Sequence, residues 1–474
     1  MGLRYRTFER SIELPVSAER AFRWHARPGA FERLAPPWQR IAIRERSGGI
    51  ASGDRLSFVV GRWPVRLQWD ARHEEYVEGC QFVDVQDRGP FAFWRHTHRI
   101  EPVSGDRCVL TDHVEYRLPL ERAGGGVADR MIRRTLHAMF NQRHHVTAGD
   151  LRMHAAHAER PRQTVAISGA TGFVGSTLAA MLSTGGHEVR RIIRPGSSSK
   201  HKDLPGEPKG APAIEWDPHQ GVQHVETLHG VDAVVHLAGE PLISVGWSQQ
   251  KMQRIRDSRV TGTRTLAESI ARVSATERPR ALVCASAIGF YGSRGDEVLT
   301  EDSASGSGFL ADVCREWESA ADPAREAGVR VVHMRLGIVL DPRGGAMALM
   351  LPAFRLGGGG VVGSGRQWMS WISLDDAAGA MHEAIMNEHA EGPINLTAPD
   401  PITNREFTKT LGRVLHRPTI VPIPEFAVRL ALGRMADEAL LASVRAVPER
   451  LKNLGYTFRD PELESTLVRL LGRR

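Results

Sequence analysis

Three evenly spaced glycines constrain the fold of this chain more than any other feature. Residues 164–175 read TVAISGATGFVG, so Gly169, Gly172 and Gly175 follow a β-branched run directly and a helical pattern follows them. We expect this helix to end at Gly185. In such a junction the first glycine permits a tight turn, the second admits a ligand to the backbone, and the third lets helix and strand pack closely.

This junction predicts a binding site for a dinucleotide diphosphate. The free amide groups and the dipole at the start of a helix both favour a negatively charged ligand. A glycine triplet alone is weak evidence, but one that lies between a strand and a helix, and opens a run of such units, is specific. The residues that we expect to contact the cofactor here are Gly169, Thr171, Gly172, Phe173, Val174 and Gly175.

The region 163–400 alternates apolar strand-like runs with helical segments, beginning QTVAIS, HEVRRIIR and continuing to DAVVHLAG, RALVCASA and VRVVHMRLGIVL. Strands that alternate with helices form a parallel sheet covered on both faces. The sequence therefore predicts an α/β domain with a Rossmann-type, doubly wound parallel sheet over 163–400.

The end of the second predicted strand discriminates between NAD and NADP. An NAD-binding site of this kind places an acidic residue there to hold the ribose 2′-hydroxyl. This chain offers Arg191 and Arg194 instead, and Glu188 comes too early in the strand. Because a guanidinium pairs with a 2′-phosphate, the pattern favours NADP over NAD. The alternative is that these arginines simply face solvent.

The first 157 residues predict a different, α+β architecture. A short helix is expected at Ser17–His25 with Ser17 as its N-cap, and a long helix at Asp129–His157. Between them lie several short strands, of which HVEYRLPL at 113–120 alternates apolar and polar residues. A long helix packed on a curved antiparallel sheet can enclose an apolar cavity.

Motifs spread over the chain resemble the extended short-chain dehydrogenase/reductases, and most closely their epimerase-like subfamily of nucleotide-sugar epimerases with unknown substrate. The residues 1–157 resemble a START-like helix-grip domain of the polyketide-cyclase-like (SRPBCC) branch, and 401–474 resemble the small, mainly helical C-terminal domain of that subfamily. The motifs that carry the first resemblance are SGATGFVG, WDP at 216–218, HLAGEP at 236–241, SAIGFYG at 286–292, RLGIVL at 335–340 and WISLDDAA at 371–378.

The resemblance implies further cofactor contacts. Asp217 matches the acidic contact to the adenine, and Leu237, Ala238 and Gly239 match the loop that passes the adenine ribose. Alternatively, Asp217 caps a turn before Pro218 and the loop residues only pack. For the N-terminal domain the resemblance implies a pocket for a small hydrophobic or aromatic molecule, and the alternative is a filled core.

The catalytic pattern of the family is incomplete in this chain. That pattern uses a serine or threonine, and a tyrosine and a lysine four residues apart on a helix, where the lysine lowers the tyrosine pKa. Phe309 and Val313 occupy the tyrosine and lysine positions, and Ala287 the serine position. Ser286 and Tyr291 are therefore the candidate catalytic residues, and an acid such as Asp312, on the helix beside Phe309, is the alternative. A packed aromatic with a satisfied hydroxyl is the alternative for Tyr291.

Two functions are compatible with these residues. The first is an NADP-dependent oxidoreductase or epimerase-like enzyme that exchanges hydride with a small molecule, with an apolar or aromatic compound as the suggested substrate. In this hypothesis the C-terminal segment completes the substrate side. The second is a non-catalytic NADP-binding protein that senses redox state or delivers a ligand, which the loss of the tyrosine–lysine pair favours.

Composition excludes several other classes. The chain carries 62 Lys and Arg against 55 Asp and Glu, without a basic block, so no nucleic-acid partner is predicted. No run approaches the roughly 20 apolar residues of a membrane span, and no signal-peptide core opens the chain, which predicts a cytoplasmic protein. The four cysteines lack metal-ligand spacing. His144, His145, His154 and His157 are interpreted as a solvated helix face, so no metal site is predicted.

Overall fold

The computed structural model describes residues 5–62, 65–119, 125–197, 204–208, 213–242 and 247–473. The chain folds into two compact units. The first comprises residues 1–159 together with 183–186 and 468–474, and the second comprises 160–182 and 187–467.

The first unit is built on a seven-stranded antiparallel sheet with the strand order β1-β7-β6-β5-β4-β3-β2. Two short helices follow the first strand, and one long helix follows the last, which confirms the predicted element order. The elements are β1 (Arg6–Leu14), α1 (Ala18–Ala26), α2 (Ala30–Leu34), β2 (Ile41–Ser47), β3 (Arg55–Arg62), β4 (Val65–Val77), β5 (Gln81–Arg88), β6 (Phe93–Ser104), β7 (Arg107–Arg117) and α3 (Gly125–Ala156).

Local sequence signals account for these elements. Ser17 is the N-cap of α1, as predicted, and its hydroxyl accepts a hydrogen bond from the backbone amide of Arg20 at 3.4 Å. On β7 the apolar set Val114 and Tyr116 is fully buried, and Leu118 just beyond the strand is buried too. The alternating pattern therefore identified the core face of this strand correctly.

The helix α3 is more buried than its sequence indicates. His144 is 4% exposed and its Nε2 lies 2.7 Å from Oδ2 of Asp112, so the prediction of a solvated face is wrong for this residue. Arg143 is half-buried, with its guanidinium 5.5 Å from the centre of the Phe140 ring. The error arises because His144 faces the sheet, where Asp112 on β7 is its hydrogen-bond partner.

The second unit is built on an eight-stranded sheet with the strand order β11-β10-β9-β8-β12-β13-β15-β19. Its strands are β8 (Thr164–Ser168), β9 (Glu188–Ile193), β10 (Ile214–Asp217), β11 (Gly221–Val222), β12 (Ala233–His236), β13 (Ala281–Ala287), β15 (Arg330–Leu336) and β19 (Gly392–Leu396). Paired short strands outside it are β14 (Val298–Leu299) with β21 (Arg445–Ala446), β16 (Ile338–Leu340) with β18 (Trp371–Ser373), and β17 (Trp368–Met369) with β20 (Ile402–Thr403).

Helices lie between strands of this second sheet, and further helices follow its last strand. They are α4 (Phe173–Gly185), α5 (Gln249–Arg272), α6 (Phe309–Ser319), α7 (Asp322–Glu326), α8 (Gly345–Arg355), α9 (Leu374–Met386), α10 (Asn404–Leu415), α11 (Glu425–Leu432), α12 (Glu449–Asn453) and α13 (Leu463–Leu470). Short 3₁₀ turns occur at Val225–Leu228 and Ile288–Tyr291, and a π turn at Ala436–Leu440. The predicted Rossmann-type α/β class and the mainly helical C-terminal region are confirmed.

The order of the strands creates a switch point in the second sheet. From β8 the chain proceeds outward through β9 and β10, and then crosses back to β12 on the other side of β8 before it continues outward. All the pairings are parallel except that of β11 with β10. In open α/β sheets, ligands bind where the strand order reverses in this way. Among the described helices, none is long and apolar enough to cross a membrane.

Candidate functional site

The glycine turn after β8 lies against the loop after β12, at the switch point. Gly169 adopts a φ of +71°, which side chains rarely tolerate. A Cβ at this position would lie 3.0 Å from the backbone nitrogen of Ala238. The two chain segments therefore approach each other so closely that a side chain at this position would press against the loop backbone.

The other two glycines allow the helix α4 to start tightly against the strand. A Cβ at Gly175 would lie 2.3 Å from the carbonyl oxygen of Gly169, and one at Gly172 would lie 3.0 Å from the same oxygen. The amide of Gly172 donates to that oxygen at 2.9 Å, and α4 begins at the next residue, Phe173. The first amides of α4 thus lie beside the turn, as a diphosphate site requires.

The end of α4 differs slightly from the prediction. Gly185 is still helical, and the left-handed residue is Gly186, with a φ of +87°. The sequence offers two adjacent glycines, and either can stop a helix.

The loop residues Leu237, Ala238 and Gly239 follow β12 directly. The Leu237 amide lies 3.2 Å from the Ser168 carbonyl oxygen, and the Leu237 and Ala238 amides lie 3.2 and 3.3 Å from its hydroxyl oxygen. The structure therefore brings the predicted ribose loop and the predicted diphosphate turn together.

Asp217 ends β10, two strands away from β8. Its Oδ1 accepts hydrogen bonds from the amides of His219 at 2.8 Å and Gln220 at 3.1 Å. Asp217 thus caps a turn, which is the alternative that the sequence left open. This role occupies one carboxylate oxygen, so the predicted adenine contact stays a prediction.

The two arginines at the end of β9 have different surroundings. Nε of Arg191 donates to Oε1 of Glu207 at 2.7 Å, and both side chains are largely buried. Arg194 is exposed and makes no ion pair with any part of the chain that the structure describes. Among the described residues, Arg191 therefore has a carboxylate partner and Arg194 does not.

Sequence reasoning missed Arg259, on α5. A Cβ at Gly239 would lie 3.7 Å from its guanidinium carbon. Burial lowers the pKa of Arg259, and Nη1 donates to two backbone carbonyls, those of Glu240 at 3.1 Å and Ile255 at 3.2 Å. Within the described ranges it forms no ion pair. The helix α5 carries five arginines, so no sequence signal singled out Arg259.

Ser286 and Tyr291 belong to one buried hydrogen-bond network. The Ser286 hydroxyl donates to Oε1 of Glu318 at 2.7 Å, and Glu318 accepts two bonds from Arg335, both at 2.8 Å. The same guanidinium donates to the Tyr291 hydroxyl at 2.9 Å. The structure thus brings the two predicted catalytic residues together through Glu318 and Arg335.

The Tyr291 hydroxyl is held by protein partners. It donates to Oδ1 of Asn395 at 2.7 Å, the residue is fully buried, and burial raises its pKa. Arg335 also lies 3.5 Å from the centre of the Phe290 ring. These contacts match the packed, hydrogen-bonded tyrosine that the sequence left open as an alternative.

The helix α6 carries apolar residues at the two positions where the family has its tyrosine and lysine. Val313 is fully buried, and Phe309 packs edge-to-face against Trp247 at 5.6 Å. The carboxylate of Glu438 accepts hydrogen bonds from the backbone amides of Phe309 at 3.0 Å and Leu310 at 3.1 Å, and so caps the start of α6. The C-terminal region therefore covers this end of the helix.

The first unit has a row of half-buried aromatic side chains. The ring centres lie 5.2 Å apart for Phe31 and Phe58, 5.9 Å for Phe58 and Trp69, and 5.7 Å for Trp69 and Phe91. Trp94 continues this aromatic row at 4.8 Å from Phe91 and is buried. Such a row can contact a flat or apolar molecule.

Three family models match the chain. They are the NAD dependent epimerase/dehydratase family over residues 165–396, a domain of unknown function (DUF1731) over 423–470, and the polyketide cyclase/dehydrase and lipid transport family over 14–140.

The chain is similar to an epimerase family protein of Mycobacterium bovis, at 42% identity over 294 residues, which are 62% of this chain and 93% of that protein. A crystal structure of a nucleoside-diphosphate sugar epimerase from Corynebacterium glutamicum is 34% identical with a TM-score of 0.77, and covers 98% of this chain and 90% of its own. The structure of human epimerase family protein SDR39U1 with NADPH is 33% identical with a TM-score of 0.56, and covers 65% of this chain and 99% of its own.

Proposed function

Because this chain belongs to the NAD-dependent epimerase/dehydratase family, we propose that it binds NADPH and exchanges hydride between the nicotinamide and a small molecule. The observation that carries the proposal is the turn at the switch point. A Cβ at Gly175 would lie 2.3 Å from the Gly169 carbonyl oxygen, and Cβ atoms at Gly169 and Gly172 would lie 3.0 Å from backbone atoms, so the turn packs tightly between the start of α4 and the loop at Leu237–Gly239. Family models for the three resemblances described above match separate segments of the chain.

The preference for NADPH rests on the cations around this site. Arg194 is exposed at the end of β9 and has no carboxylate partner in the described part of the chain, so it can pair with a 2′-phosphate. Arg191 contributes less to the preference for NADPH, because its charge is neutralised by Glu207. The human relative SDR39U1 has a structure with NADPH, which supports the same choice.

Calorimetric titration of the full chain with NADPH and NADH tests this assignment. We expect tighter binding of NADPH, and we expect Arg194→Ala to weaken NADPH binding by about 10-fold or more while NADH binding stays unchanged. Arg190→Ala is the matched control, because Arg190 lies on the same strand and pairs with Glu188. Equal affinity of the Arg194→Ala and Arg190→Ala variants for NADPH would contradict the role of Arg194.

For turnover, we propose that Ser286 and Tyr291 polarise or protonate the substrate oxygen, through the network that Glu318 and Arg335 organise. Burial raises the pKa of Tyr291 overall, and the charge of Arg335, the cation in this network, opposes that rise. The test is repeated oxidation of NADPH in the presence of a panel of carbonyl compounds, followed by absorbance at the nicotinamide band. Several turnovers per chain indicate an enzyme.

A second candidate function is NADPH binding without turnover. The buried Val313 and the packed Phe309 favour it, because neither side chain can move a proton. The titration and the turnover assay separate the two functions: a binder gives the calorimetric signal and no cofactor oxidation with any carbonyl compound.

We also propose that the first unit binds an apolar or aromatic molecule along the aromatic row. An apolar fluorescent probe added to the full chain should quench tryptophan emission, and Trp69→Ala should reduce both the quenching and the probe affinity severalfold. Trp368→Phe is the control, because this residue lies outside the row and donates its indole N–H to Asp296. Equal probe binding by both variants would contradict the proposal.

A further inference from the structure

Four ionisable side chains meet on one face of the sheet in the first unit. His96 and His98 are two residues apart on β6 and therefore point to the same face. In the strand register Asp84 on β5 lies opposite His96, and Asp112 on β7 lies opposite His98. The sheet itself thus brings two imidazoles and two carboxylates together, from three neighbouring strands.

We propose that Asp84, His96 and His98 form a site for a first-row divalent transition metal, such as Zn²⁺. Oδ1 of Asp84 lies 3.2 Å from Nδ1 of His96 and 3.2 Å from Nε2 of His98. One ligand atom from each of the three residues lies within 4.8 Å of the others. His96 and His98 are buried, and the side chain of Asp84 is 22% exposed, so solvent reaches the site from one side.

The distances suit a small tetrahedral ion. Tetrahedral metal–ligand bonds of about 2.0 to 2.2 Å place neighbouring ligand atoms roughly 3.3 to 3.6 Å apart, slightly more than the 3.2 Å that separates Asp84 from each histidine. Three protein ligands leave a fourth position for water or for the oxygen of a bound molecule. Two imidazoles and one carboxylate favour zinc, iron, cobalt or nickel over calcium or magnesium, which prefer oxygen ligands alone.

Asp112 supplies the support that metal-binding histidines need. Its Oδ1 lies 2.9 Å from Nε2 of His96 and 2.9 Å from Nδ1 of His98, which are the nitrogens facing away from Asp84. Its Oδ2 lies 2.7 Å from Nε2 of His144 on α3. A carboxylate behind a ligating imidazole fixes the orientation of the ring and raises its basicity. Asp112 is therefore a positioning residue for both ligands at once.

Aromatic packing holds the rings in place. Phe82 stacks on His98 with ring centres 4.1 Å apart, and Phe140 contacts His96 edge-to-face at 5.2 Å. The ligand rings consequently have little freedom to lose when an ion binds, which reduces the entropic cost of binding.

The test uses the full chain, stripped of metal with a chelator and then titrated with Zn²⁺ in a calorimeter and with Co²⁺ in a spectrophotometer. We expect about one ion per chain and visible absorption bands from Co²⁺ in a nitrogen–oxygen site. Asp84→Asn and His96→Gln should each weaken Zn²⁺ binding by about 100-fold or more, and Asp112→Asn by about 10- to 100-fold.

His113→Gln is the matched control, because His113 lies on β7, is partly exposed, and contacts Glu9 instead of the site. It should bind Zn²⁺ as the unmodified chain does. The proposal is overturned if the unmodified chain binds no stoichiometric Zn²⁺, or if Asp84→Asn and His113→Gln bind it equally. Circular dichroism checks folding, and Asp84→Asn, which preserves the size of the side chain, decides the matter if His96→Gln does not fold.

Discussion

The hydroxyl oxygen of Ser168 lies 2.7 Å from Nδ1 of His236, and this contact joins the ends of the two strands that flank the switch point. The same oxygen accepts hydrogen bonds from the backbone amides of Leu237 and Ala238. Because the oxygen acts as an acceptor toward both amides, its own proton is directed at the imidazole. One serine therefore fixes the start of the predicted ribose loop relative to the glycine turn that follows Ser168 itself.

We expect Ser168→Ala to lower the free energy of unfolding by about 1 to 3 kcal/mol. The substitution removes the acceptor of the Ala238 amide and one acceptor of the Leu237 amide, and it leaves Nδ1 of His236 buried without its donor. The loop then loses its fixed position, so NADPH affinity should fall as well. Urea unfolding and calorimetry measure the two effects.

Ser274→Ala is the control for this substitution, because Ser274 is exposed after the end of α5. It should change the free energy of unfolding by no more than about 0.5 kcal/mol. If both alanine variants were equally stable, the hydrogen bonds of the Ser168 hydroxyl would contribute nothing to the free energy of unfolding.

The buried imidazole of His236 predicts a pH dependence of stability. Burial lowers the pKa of His236 from 6.5 to about 4. The unfolded chain therefore takes up a proton below pH 6.5 that the folded chain refuses until about pH 4. The contribution of His236 to the free energy of unfolding is greatest above pH 6.5 and falls between pH 6.5 and 4, by up to roughly 3 kcal/mol. Burial lowers the pKa of His333 to about 4 as well, which acts in the same direction.

Urea unfolding at several pH values between 7 and 4.5 measures this slope. His236→Gln should reduce the slope of the free energy of unfolding against pH by close to the contribution of one titrating proton, because glutamine does not titrate in this range. His219→Gln, at an exposed position near β10, should leave the slope as it is. A slope that His236→Gln does not alter would mean that the folded chain protonates His236 as readily as the unfolded chain does.

The sequence predicted those features of the fold and of the candidate site that depend on residues close together along the chain. The glycine turn, the N-cap at Ser17 and the buried face of β7 each depend on residues within a few positions of one another. Local geometry and periodicity determine such features, so a single sequence is enough to recognise them.

Contacts between distant residues could not be predicted in this way. Glu207 approaches Arg191 from a segment 16 residues later in the chain, and no periodic pattern places it there. The cluster of Asp84, His96 and His98 depends on the register of neighbouring strands, which the sequence leaves undetermined. The sequence predicts a solvent-facing His144 because its partner, Asp112, lies on a strand that precedes the helix.

The Tyr291 hydroxyl provides a test of the proposed catalytic network. Tyr291→Phe removes the donor to Asn395 and the acceptor of Arg335 in a buried setting, so we expect the free energy of unfolding to fall by about 1 to 3 kcal/mol. If the hydroxyl also moves a proton during turnover, kcat should fall by about 100-fold or more while NADPH affinity stays unchanged. Denaturation, steady-state kinetics and calorimetry measure the three quantities separately.

Phe290→Leu is the comparison for Tyr291→Phe, because it disturbs the neighbouring packing without touching a hydroxyl. A loss of stability in Tyr291→Phe together with unchanged kcat assigns the tyrosine to the fold alone. Unchanged stability and unchanged kcat together would contradict both roles.

A buried ion pair in the first unit predicts a large difference between two charge removals. Arg33 on α2 donates from Nε and Nη2 to the two carboxylate oxygens of Asp150 on α3, each at 2.8 Å, and both side chains are almost fully buried. Asp150→Asn removes the charge that faces this guanidinium in a region where water cannot replace it. We expect the free energy of unfolding of this unit to fall by about 3 to 5 kcal/mol.

Glu19→Gln is the control, because Glu19 pairs with Arg23 on the exposed surface of α1 and should contribute less than about 1 kcal/mol. Urea unfolding, monitored by far-ultraviolet circular dichroism, compares the two variants. Equal losses in the free energy of unfolding would show that the buried pair of Arg33 and Asp150 is no more stabilising than the exposed pair of Glu19 and Arg23.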